Sequence, residues 1–293
     1  DYNLFNHNTL VDYFENLKLY PDFNIFFLDI SKFLETKDYQ IIYNTSHFIF
    51  KLLSKDYEQE KILFYKFIKQ ITYIKPIPDE SFFICIPFTE IIENIPNINK
   101  IVTKSCNLLE VRLDYLENIC ESYNIIENTL TLLMRLLNIP ILVTLRSKNE
   151  WGFYQGDIEE YKNIIEFIRK IGFTYIDHEL SHQYQISERK GLKIIGSIHT
   201  SSLPKLISNL NSLDYHNPDI LKVVVTKDIY DEAKKNLEKY KIKKIFIAIG
   251  NEGKITRITN KFLTPATSTF LKCTASGQLT IEEIKIVRNI LSL

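Results

Sequence analysis

The chain has 293 residues, which is enough for one large α/β domain or two smaller ones with a substantial buried core. Its 36 basic and 36 acidic residues cancel, and no apolar stretch has the length needed to span a bilayer. We therefore predict a small-molecule or protein partner, no nucleic acid and no membrane. The four cysteines form no C-x-x-C pair, which predicts reduced thiols in a cytoplasmic protein and no metal site.

The first part of the chain, residues 1–78, shows no regular alternation of strand and helix. We predict a short α-rich segment with one strand at 24–28 and a helix from about 58 to 71. Two prolines in Ile74–Asp79 indicate a linker, so the domain boundary is placed at 78. The sequence begins at Asp1 rather than at a methionine, which favours a piece of a longer polypeptide.

Residues 79–293 instead alternate short apolar runs with longer amphipathic segments. Eight such βα units predict a (β/α)8 barrel, the TIM-barrel fold. A doubly wound open sheet is the competing fold, although the chain has neither a G-x-G-x-x-G nor a Walker A motif. The predicted strands are 82–87, 108–113, 139–145, 174–180, 193–198, 220–225, 245–249 and 270–274, and the predicted helices are 117–136, 158–171, 229–240 and 281–291.

Polar residues follow the carboxyl ends of these predicted strands, where barrel enzymes carry their catalytic groups. In the second run Glu110, Arg112 and Asp114 alternate with apolar residues, so their side chains should share one face. The other strand-end residues are Arg146 and Glu150 after the third run, Asp177 and Glu179 in the fourth, His199 after the fifth, Lys222 in the sixth and Arg257 after the seventh.

Lys222 is the most informative of these residues because it lies inside the apolar run Asp219–Val225. A lysine buried there should lose its proton more readily than a free lysine, and a neutral amine can attack a carbonyl to form a Schiff base. The alternative is that Lys222 ends its strand and reaches solvent. His199, which follows the preceding apolar run, favours the functional interpretation.

The other candidates also have ordinary structural explanations. The charges of the second strand could form an ion network, and His178 and Glu179 could be solvated residues at a strand end. His199 alone could be an ordinary strand-end histidine, and Arg257 alone a surface residue. A base, an amine and two arginines at the same end of one barrel together favour a site for a carbonyl-bearing anion.

Several short segments between about residues 80 and 293 carry a resemblance to a known family. They are Ser81–Cys85, Glu110–Asp114, Val143–Ser147 with Glu150, Ile194–His199, Asp219–Lys222, Gly253–Arg257, Leu263–Thr267 and Gly277–Thr280. With these segments in this order, the chain resembles the type I 3-dehydroquinate dehydratases of the shikimate pathway. In particular, it resembles the dehydratase section of the fungal pentafunctional arom polypeptide.

The resemblance implies a hydro-lyase that converts 3-dehydroquinate to 3-dehydroshikimate and water without metal or cofactor. Lys222 would form an imine with the substrate ketone, and His199 would remove the adjacent C–H proton and protonate the departing hydroxyl. The remaining roles follow the same resemblance. Glu110 and Glu150 would orient the histidine or bind hydroxyls, Arg257 would pair with the substrate carboxylate, Arg112 and Arg146 would contact substrate or hold the acidic residues, and Thr274 and Gln278 would close the pocket.

The chain departs from the family pattern at four positions. Thr200 stands where an aspartate is usual, Trp151 precedes Gly152 where a Gly-Gly pair is common, and Ser276 replaces a proline. Thr274 replaces a serine and keeps its hydroxyl. These changes leave the amine and the base in place, so we expect full or reduced activity.

The resemblance also leaves other possibilities for the chain. The segment Asp38–Phe50 resembles the C-terminal tail of a shikimate kinase, the section before the dehydratase in the arom arrangement. Residues 1–78 would then be the remnant of that domain in a larger multidomain polypeptide that dimerises. A non-catalytic quinate-pathway regulator derived from the arom polypeptide is the main alternative, although the chain retains Lys222 and His199. A Schiff-base aldolase also needs a strand lysine, but has no need of Gly277–Thr280.

Overall fold

The structure is a computed structural model that describes residues 25–29, 48–52, 59, 62–63, 66–67, 76–186, 189 and 191–293. Strands β1 (Ile25–Asp29) and β2 (Phe48–Leu52) form a parallel pair in the N-terminal segment. The first of them corresponds to the predicted strand at 24–28, and the second was not predicted. The predicted helix at 58–71 falls mostly outside the described residues.

Eight parallel strands curl into a barrel that is closed except between the seventh strand and the eighth, and this confirms the predicted fold. The first seven strands pair in chain order, and the eighth strand pairs with the first. The strands are β3 (Phe82–Pro87), β4 (Leu108–Arg112), β5 (Ile141–Thr144), β6 (Tyr175–Glu179), β7 (Lys193–Thr200), β8 (Ile220–Val225), β9 (Lys243–Ala248) and β10 (Thr264–Ala266).

Helices follow the strands and cover the barrel. Asp157 caps the fourth helix by accepting a hydrogen bond from the backbone N–H of Glu160, and Gly172 ends that helix in a left-handed conformation. The helices are α1 (Phe88–Asn94), α2 (Ile98–Ile101), α3 (Tyr123–Leu136), α4 (Ile158–Ile171), α5 (Leu203–Leu210), α6 (Leu213–His216), α7 (Tyr230–Leu237), α8 (Lys254–Thr259) and α9 (Ile281–Leu291). Among the described residues, none of these helices combines the length and the apolar character of a membrane span.

Side chains inside the barrel are arranged in layers. An apolar cluster near the amino ends of the strands contains Phe83, Leu108, Leu142, Tyr175, Ile195, Ile220 and Ile245. Because side chains alternate along a strand, the inward position two residues further along each of these strands lies above this cluster. That next layer is largely polar, and it consists of Cys85, Glu110, Thr144, Asp177, Ser197, Lys222 and Ile247.

The prediction of the last strand was wrong. The eighth strand is Thr264–Ala266, which pairs with β3, and residues 270–274 lie in the loop that follows it. Phe270 and Leu271 suggested a strand, but Phe270 is 48% exposed. The true strand is short and contains Pro265, which lacks a backbone N–H, so its sequence does not read as a strand.

Candidate active site

Lys222 is buried at the centre of the polar layer and does not reach solvent. Its Nζ lies 2.8 Å from Oε1 of Glu110 and 3.2 Å from Oδ2 of Asp177, and it lies 5.4 Å from the centre of the Phe83 ring. The residue is only 5% exposed, so both ion pairs are shielded from water. The alternative in which Lys222 ends its strand and extends to solvent is therefore wrong.

The expected effect of burial on this lysine was also wrong. Burial alone lowers the pKa of Lys222, but the negative charges of Glu110 and Asp177 outweigh it, and the pKa is raised. Burial similarly opposes ionisation of Glu110, yet Lys222 and Arg112 hold the pKa of its carboxyl below the ordinary value. The two carboxylates therefore favour the ammonium form of Lys222.

Arg146 connects the acidic residues of the site. Its guanidinium forms ion pairs with Asp177 at 2.6 Å, with Glu179 at 3.0 Å and with Glu150 at 3.2 Å. It also donates to Oγ of Ser197 at 2.8 Å. Of the two roles predicted for this arginine, these contacts fit the one in which it holds acidic residues in place.

His199 lies against Glu150, which comes from the loop after β5. The Nδ1 atom of His199 is 3.2 Å from Oε2 of Glu150, and the same oxygen accepts the backbone N–H of His199 at 2.9 Å. Burial and the positive charges of Arg146, Lys222 and Arg112 hold the pKa of this imidazole well below its ordinary value. The neutral imidazole is thus favoured, and the carboxyl group of Glu150 lies on its Nδ1 side.

Glu150 has an environment that favours keeping a proton. Burial raises the pKa of its carboxyl, and the negative charge of Glu179 adds to this effect. Its Oε1 accepts the hydroxyl of Ser181 at 3.0 Å. Because the carboxyl pKa is raised while the imidazole pKa of His199 is lowered, a proton shared between these two groups is held by Glu150 rather than by His199.

Arg112 and Asp114 form a bidentate ion pair with two contacts of 2.7 Å. Arg112 is the last residue of β4, and Asp114 lies in a short 3-10 turn. The predicted ion network therefore exists for this pair, whereas Glu110 belongs to the Lys222 cluster. Arg112 also lies over the ring of Tyr115, whose hydroxyl is 3.5 Å from the carbonyl of Thr274.

Arg257 is a buried cation without an acidic partner. It lies on α8 and is 1% exposed, its buried Nε has no hydrogen-bond partner, and its side chain forms no ion pair with the residues that the structure describes. Burial lowers the pKa of this guanidinium to about 10, and the thiols of Cys273 and Cys85 act in the opposite direction. Cys85 also interacts with Glu110 and Arg112, which places Arg257 at the same end of the barrel. The predicted alternative of a surface arginine is wrong.

The loop after β10 carries Thr274 and Gln278, which bind each other. Oε1 of Gln278 accepts the backbone N–H of Thr274 at 3.0 Å, and its Nε2 donates to the Thr274 hydroxyl at 3.0 Å. Gly277 has a φ of 79° and lies so close to the turn after β9 that a Cβ would be 2.2 Å from the carbonyl oxygen of Gly250. This contact joins the loop to the turn that leads to Arg257.

Two of the departures from the family pattern have clear local structures. Thr200 is buried, and its hydroxyl accepts the backbone N–H of Ser202 at 3.0 Å instead of contacting His199. Trp151 has a φ of 67°, in the left-handed region where glycine is favoured. Gly152 has no room for a side chain, because a Cβ would lie 2.1 Å from the Arg146 carbonyl oxygen.

Some residues of the cluster were not among the predicted site residues. Asp177 accepts the hydroxyl of Ser197 at 2.6 Å, and Thr144 donates to Glu110 at 2.8 Å. Burial alone would raise the pKa of Asp177, but Arg146 and Lys222 hold it at about 2. The alternation of Asp177 and Glu179 in β6 was the signal for these carboxylates. Neither Glu179 nor His178 is a solvated strand-end residue, since each is 1% exposed.

The fold and this cluster define a (β/α)8-barrel enzyme with its site at the carboxyl ends of the strands. A family model of type I 3-dehydroquinase matches residues 82–293. The chain belongs to the type I 3-dehydroquinase family, whose members are hydro-lyases.

Curated relatives point to the same family. The chain is 31% identical over 244 residues to the pentafunctional AROM polypeptide of Komagataella phaffii, across 76% of this chain and 16% of that polypeptide. It is also 31% identical over 252 residues to the pentafunctional AROM polypeptide of Candida glabrata, across 78% of this chain and 16% of the relative. The chain thus spans less than a fifth of the length of these relatives.

Solved structures show the same fold. Dehydroquinate dehydratase and shikimate dehydrogenase from S. pombe AroM has a TM-score of 0.64 and 21% identity, covering 77% of this chain and 46% of that one. Type I 3-dehydroquinate dehydratase from Clostridium difficile, solved with covalently modified comenic acid, has a TM-score of 0.59 and 22% identity. That match covers 73% of this chain and 94% of the C. difficile chain.

Proposed function

We propose that the chain is a 3-dehydroquinate dehydratase that acts through a Schiff base on Lys222, with His199 as the general acid and base. The observation that carries this proposal is the buried amine between Glu110 and Asp177 inside the barrel mouth. A structural lysine gains little from such a position, since burying an ion pair costs about as much as the pair returns. An amine that must react with a ketone away from water needs such a site.

The first step requires a proton to leave Lys222. The Oε1 atom of Glu110, at 2.8 Å from Nζ, is the nearest acceptor for that proton. Substrate entry displaces water from the mouth of the barrel, and the neutral amine then attacks the C3 ketone of 3-dehydroquinate. The carbinolamine loses water to form a protonated imine, which withdraws electrons from the neighbouring carbon.

His199 then performs the proton transfers. Its neutral imidazole takes a proton from C2, and the electron pair moves into the imine to form an enamine. Expulsion of the C1 hydroxyl regenerates the iminium, and His199 returns the proton so that the hydroxyl leaves as water. Hydrolysis of the imine releases 3-dehydroshikimate and the amine of Lys222. Glu150 supports both protonation states of the imidazole through its contact with Nδ1.

The substrate carboxylate has a natural partner in Arg257. Every other arginine of the site already has a carboxylate partner, so Arg257 is the cation whose charge an incoming anion can compensate. A guanidinium and a carboxylate form two parallel hydrogen bonds, which would also orient the ring of the substrate. Gln278 and Thr274, on the loop that contacts the Gly250 turn, would cover the bound ring.

The larger context of the chain is part of the same proposal. The curated relatives carry the matching region within pentafunctional AROM polypeptides. We propose that residues 1–78 are the remnant of a shikimate kinase domain, that residues 79–293 form the dehydratase domain, and that the whole polypeptide is cytoplasmic and dimerises. This assignment is tested by purifying the protein from its source and measuring its mass and its shikimate kinase activity. The assignment predicts a mass well above that of this chain, together with kinase activity.

Borohydride trapping tests the chemistry. Reduction in the presence of 3-dehydroquinate should attach the ligand irreversibly to Lys222, as located by peptide mass spectrometry, and Lys222→Ala should abolish the adduct. Lys193→Ala is the matched control, because Lys193 also lies on a barrel strand but is paired with Asp219 near the surface. An adduct elsewhere would refute the role of Lys222. Binding without adduct or turnover would identify the non-catalytic regulator.

His199→Ala tests the second half of the proposal. The variant should still bind ligand, but its turnover should fall by about two to four orders of magnitude, the range for loss of a general acid or base. Turnover equal to that of the unmodified protein would remove His199 from this role.

A further inference from the structure

Trp151 occupies a backbone position that is poorly suited to it. Its φ of 67° lies in the left-handed region, and a non-glycine residue there costs about 1–2 kcal/mol relative to glycine. The turn itself is required, since the backbone N–H groups of Trp151 and Gly152 donate to the carbonyls of Lys148 and Ser147. The cost of a side chain at this position therefore indicates a role for the indole.

The indole lies next to the proposed general base. The ring centres of Trp151 and His199 are 6.2 Å apart with planes at 83°, an edge-to-face arrangement. Trp151 is 40% exposed, whereas the His199 side chain is 12% exposed, so the indole is the outer of the two rings. Trp151 also directly follows Glu150, the carboxyl group that contacts Nδ1 of His199.

We propose that Trp151 is a positioning residue that covers the solvent side of His199, excludes water from the imidazole and holds its ring against Glu150. This inference rests on the proposed function, because it assigns the covered imidazole to proton transfer. Glu150 contacts Nδ1 of His199, and the positive charges that act on its imidazole are those of Arg146 after β5, Lys222 on β8 and Arg112 on β4. They are charged and fixed by ion pairs, so Trp151 is the group whose removal changes water access without removing a charge.

Two substitutions and one control separate this role from a purely structural one. Trp151→Gly should lower kcat about tenfold with KM changed less than twofold, because a wetter and less constrained base transfers protons less efficiently. The acid limb of its pH profile should move upward by roughly one pH unit, toward the ordinary histidine value. Trp151→Phe should restore most of kcat. Phe153→Ala, on the same loop but with its ring against Tyr115, should leave the profile unchanged.

The stability of the variants provides a second readout. Glycine suits a left-handed residue, so Trp151→Gly should melt at the same or a higher temperature than the unmodified protein. A loss of turnover in a variant that is equally stable would show that the indole acts on the reaction. A parallel loss of stability and turnover in both Trp151 variants would overturn the proposal in favour of a structural role.

Fluorescence gives a readout that does not depend on turnover. Trp151 is the only tryptophan of the chain, and a protonated imidazole quenches a nearby indole. The emission of Trp151 should therefore fall as the pH is lowered, with the same midpoint as the acid limb of the pH profile of kcat. His199→Asn should abolish this fall in emission. Emission that does not titrate, or that titrates equally in His199→Asn, would refute the contact. Borohydride trapping separates the two proposals. If the unmodified protein forms no adduct, the proposed function is refuted. If it forms the adduct but Trp151→Gly leaves kcat and the pH profile unchanged, only this inference is refuted.

Discussion

Replacing Arg257 with methionine should stabilise the ligand-free protein while weakening the binding of its ligand. Arg257 is 1% exposed, and burial lowers its pKa to about 10. This is more than two pH units below the ordinary arginine value, and at about 1.4 kcal/mol per unit the buried charge costs roughly 3 kcal/mol. Methionine removes that charge and fills most of the same volume.

The expected net gain is smaller than this cost, because methionine leaves part of the guanidinium volume empty. A small cavity costs about 1 kcal/mol, so the free energy of unfolding should rise by about 1–2 kcal/mol. Urea denaturation at neutral pH measures this change directly, and the melting temperature should rise by about 2–8 °C. The same variant should bind 3-dehydroshikimate at least a hundredfold more weakly, since a buried carboxylate would lose its partner.

Arg288→Met is the matched control. Arg288 is 3% exposed, but its guanidinium donates to the carbonyl of Ile258 at 2.8 Å and to the hydroxyl of Thr264 at 3.0 Å. Its removal leaves these acceptors unpaired at about 1–3 kcal/mol each, so the control should be destabilised. If Arg257→Met is destabilised as strongly as Arg288→Met, Arg257 has a partner in the resting protein and the reasoning fails.

Three further changes test other parts of the site and of its scaffold. Glu110→Gln should lower the pKa of Lys222, so the rate of imine formation should reach its plateau at a lower pH than in the unmodified protein; an unchanged midpoint contradicts the ion pair. Gly277→Ala should raise KM about tenfold or more, because a Cβ would lie 2.2 Å from the Gly250 carbonyl oxygen and displace the loop of Gln278; an unchanged KM would separate that loop from binding. Burial and nearby histidines lower the pKa of His178 to about 3 from its ordinary value of about 6.5. Between these two pH values His178 is protonated in the unfolded chain but not in the folded chain. Stability should therefore fall as the pH drops from 6.5 toward 3, and His178→Asn should flatten that slope in urea denaturation at several pH values; an equal slope would exclude His178 as the cause.

The contacts of His178 explain why it stays neutral over that pH range. It lies behind the barrel wall, where its Nδ1 is 2.9 Å from the Tyr161 hydroxyl and its Nε2 is 3.2 Å from Nδ1 of His216. His182 and His216 also have lowered pKa values because of burial, so the three imidazoles disfavour each other's protonation. A proton on any one of these imidazoles makes protonation of the other two less favourable.

Period-two alternation accounts for most of what was predicted about the site. A strand with one inward face places every second residue in the barrel, and this puts Glu110, Asp177 and Lys222 in one layer. The boundaries of β3, β8, α4 and α9 agree with those predicted, because runs of β-branched residues and capped amphipathic segments have local causes. The resemblance to the family added the proposed substrate and the proposed order of steps.

The tertiary structure decided what no local pattern contains. The direction of the Lys222 pKa depends on how near Glu110 and Asp177 come, and these residues are 112 and 45 positions away along the chain. That Arg257 has no carboxylate partner within the described part of the chain is likewise visible only in the folded structure. The last strand is formed by pairing with β3 rather than by its own propensity, because Pro265 weakens any local strand signal. The sequence by itself thus determined which residues face the barrel interior, since alternation is local, and the fold determined their charges, because electrostatic interactions depend on distances that only the closed barrel sets.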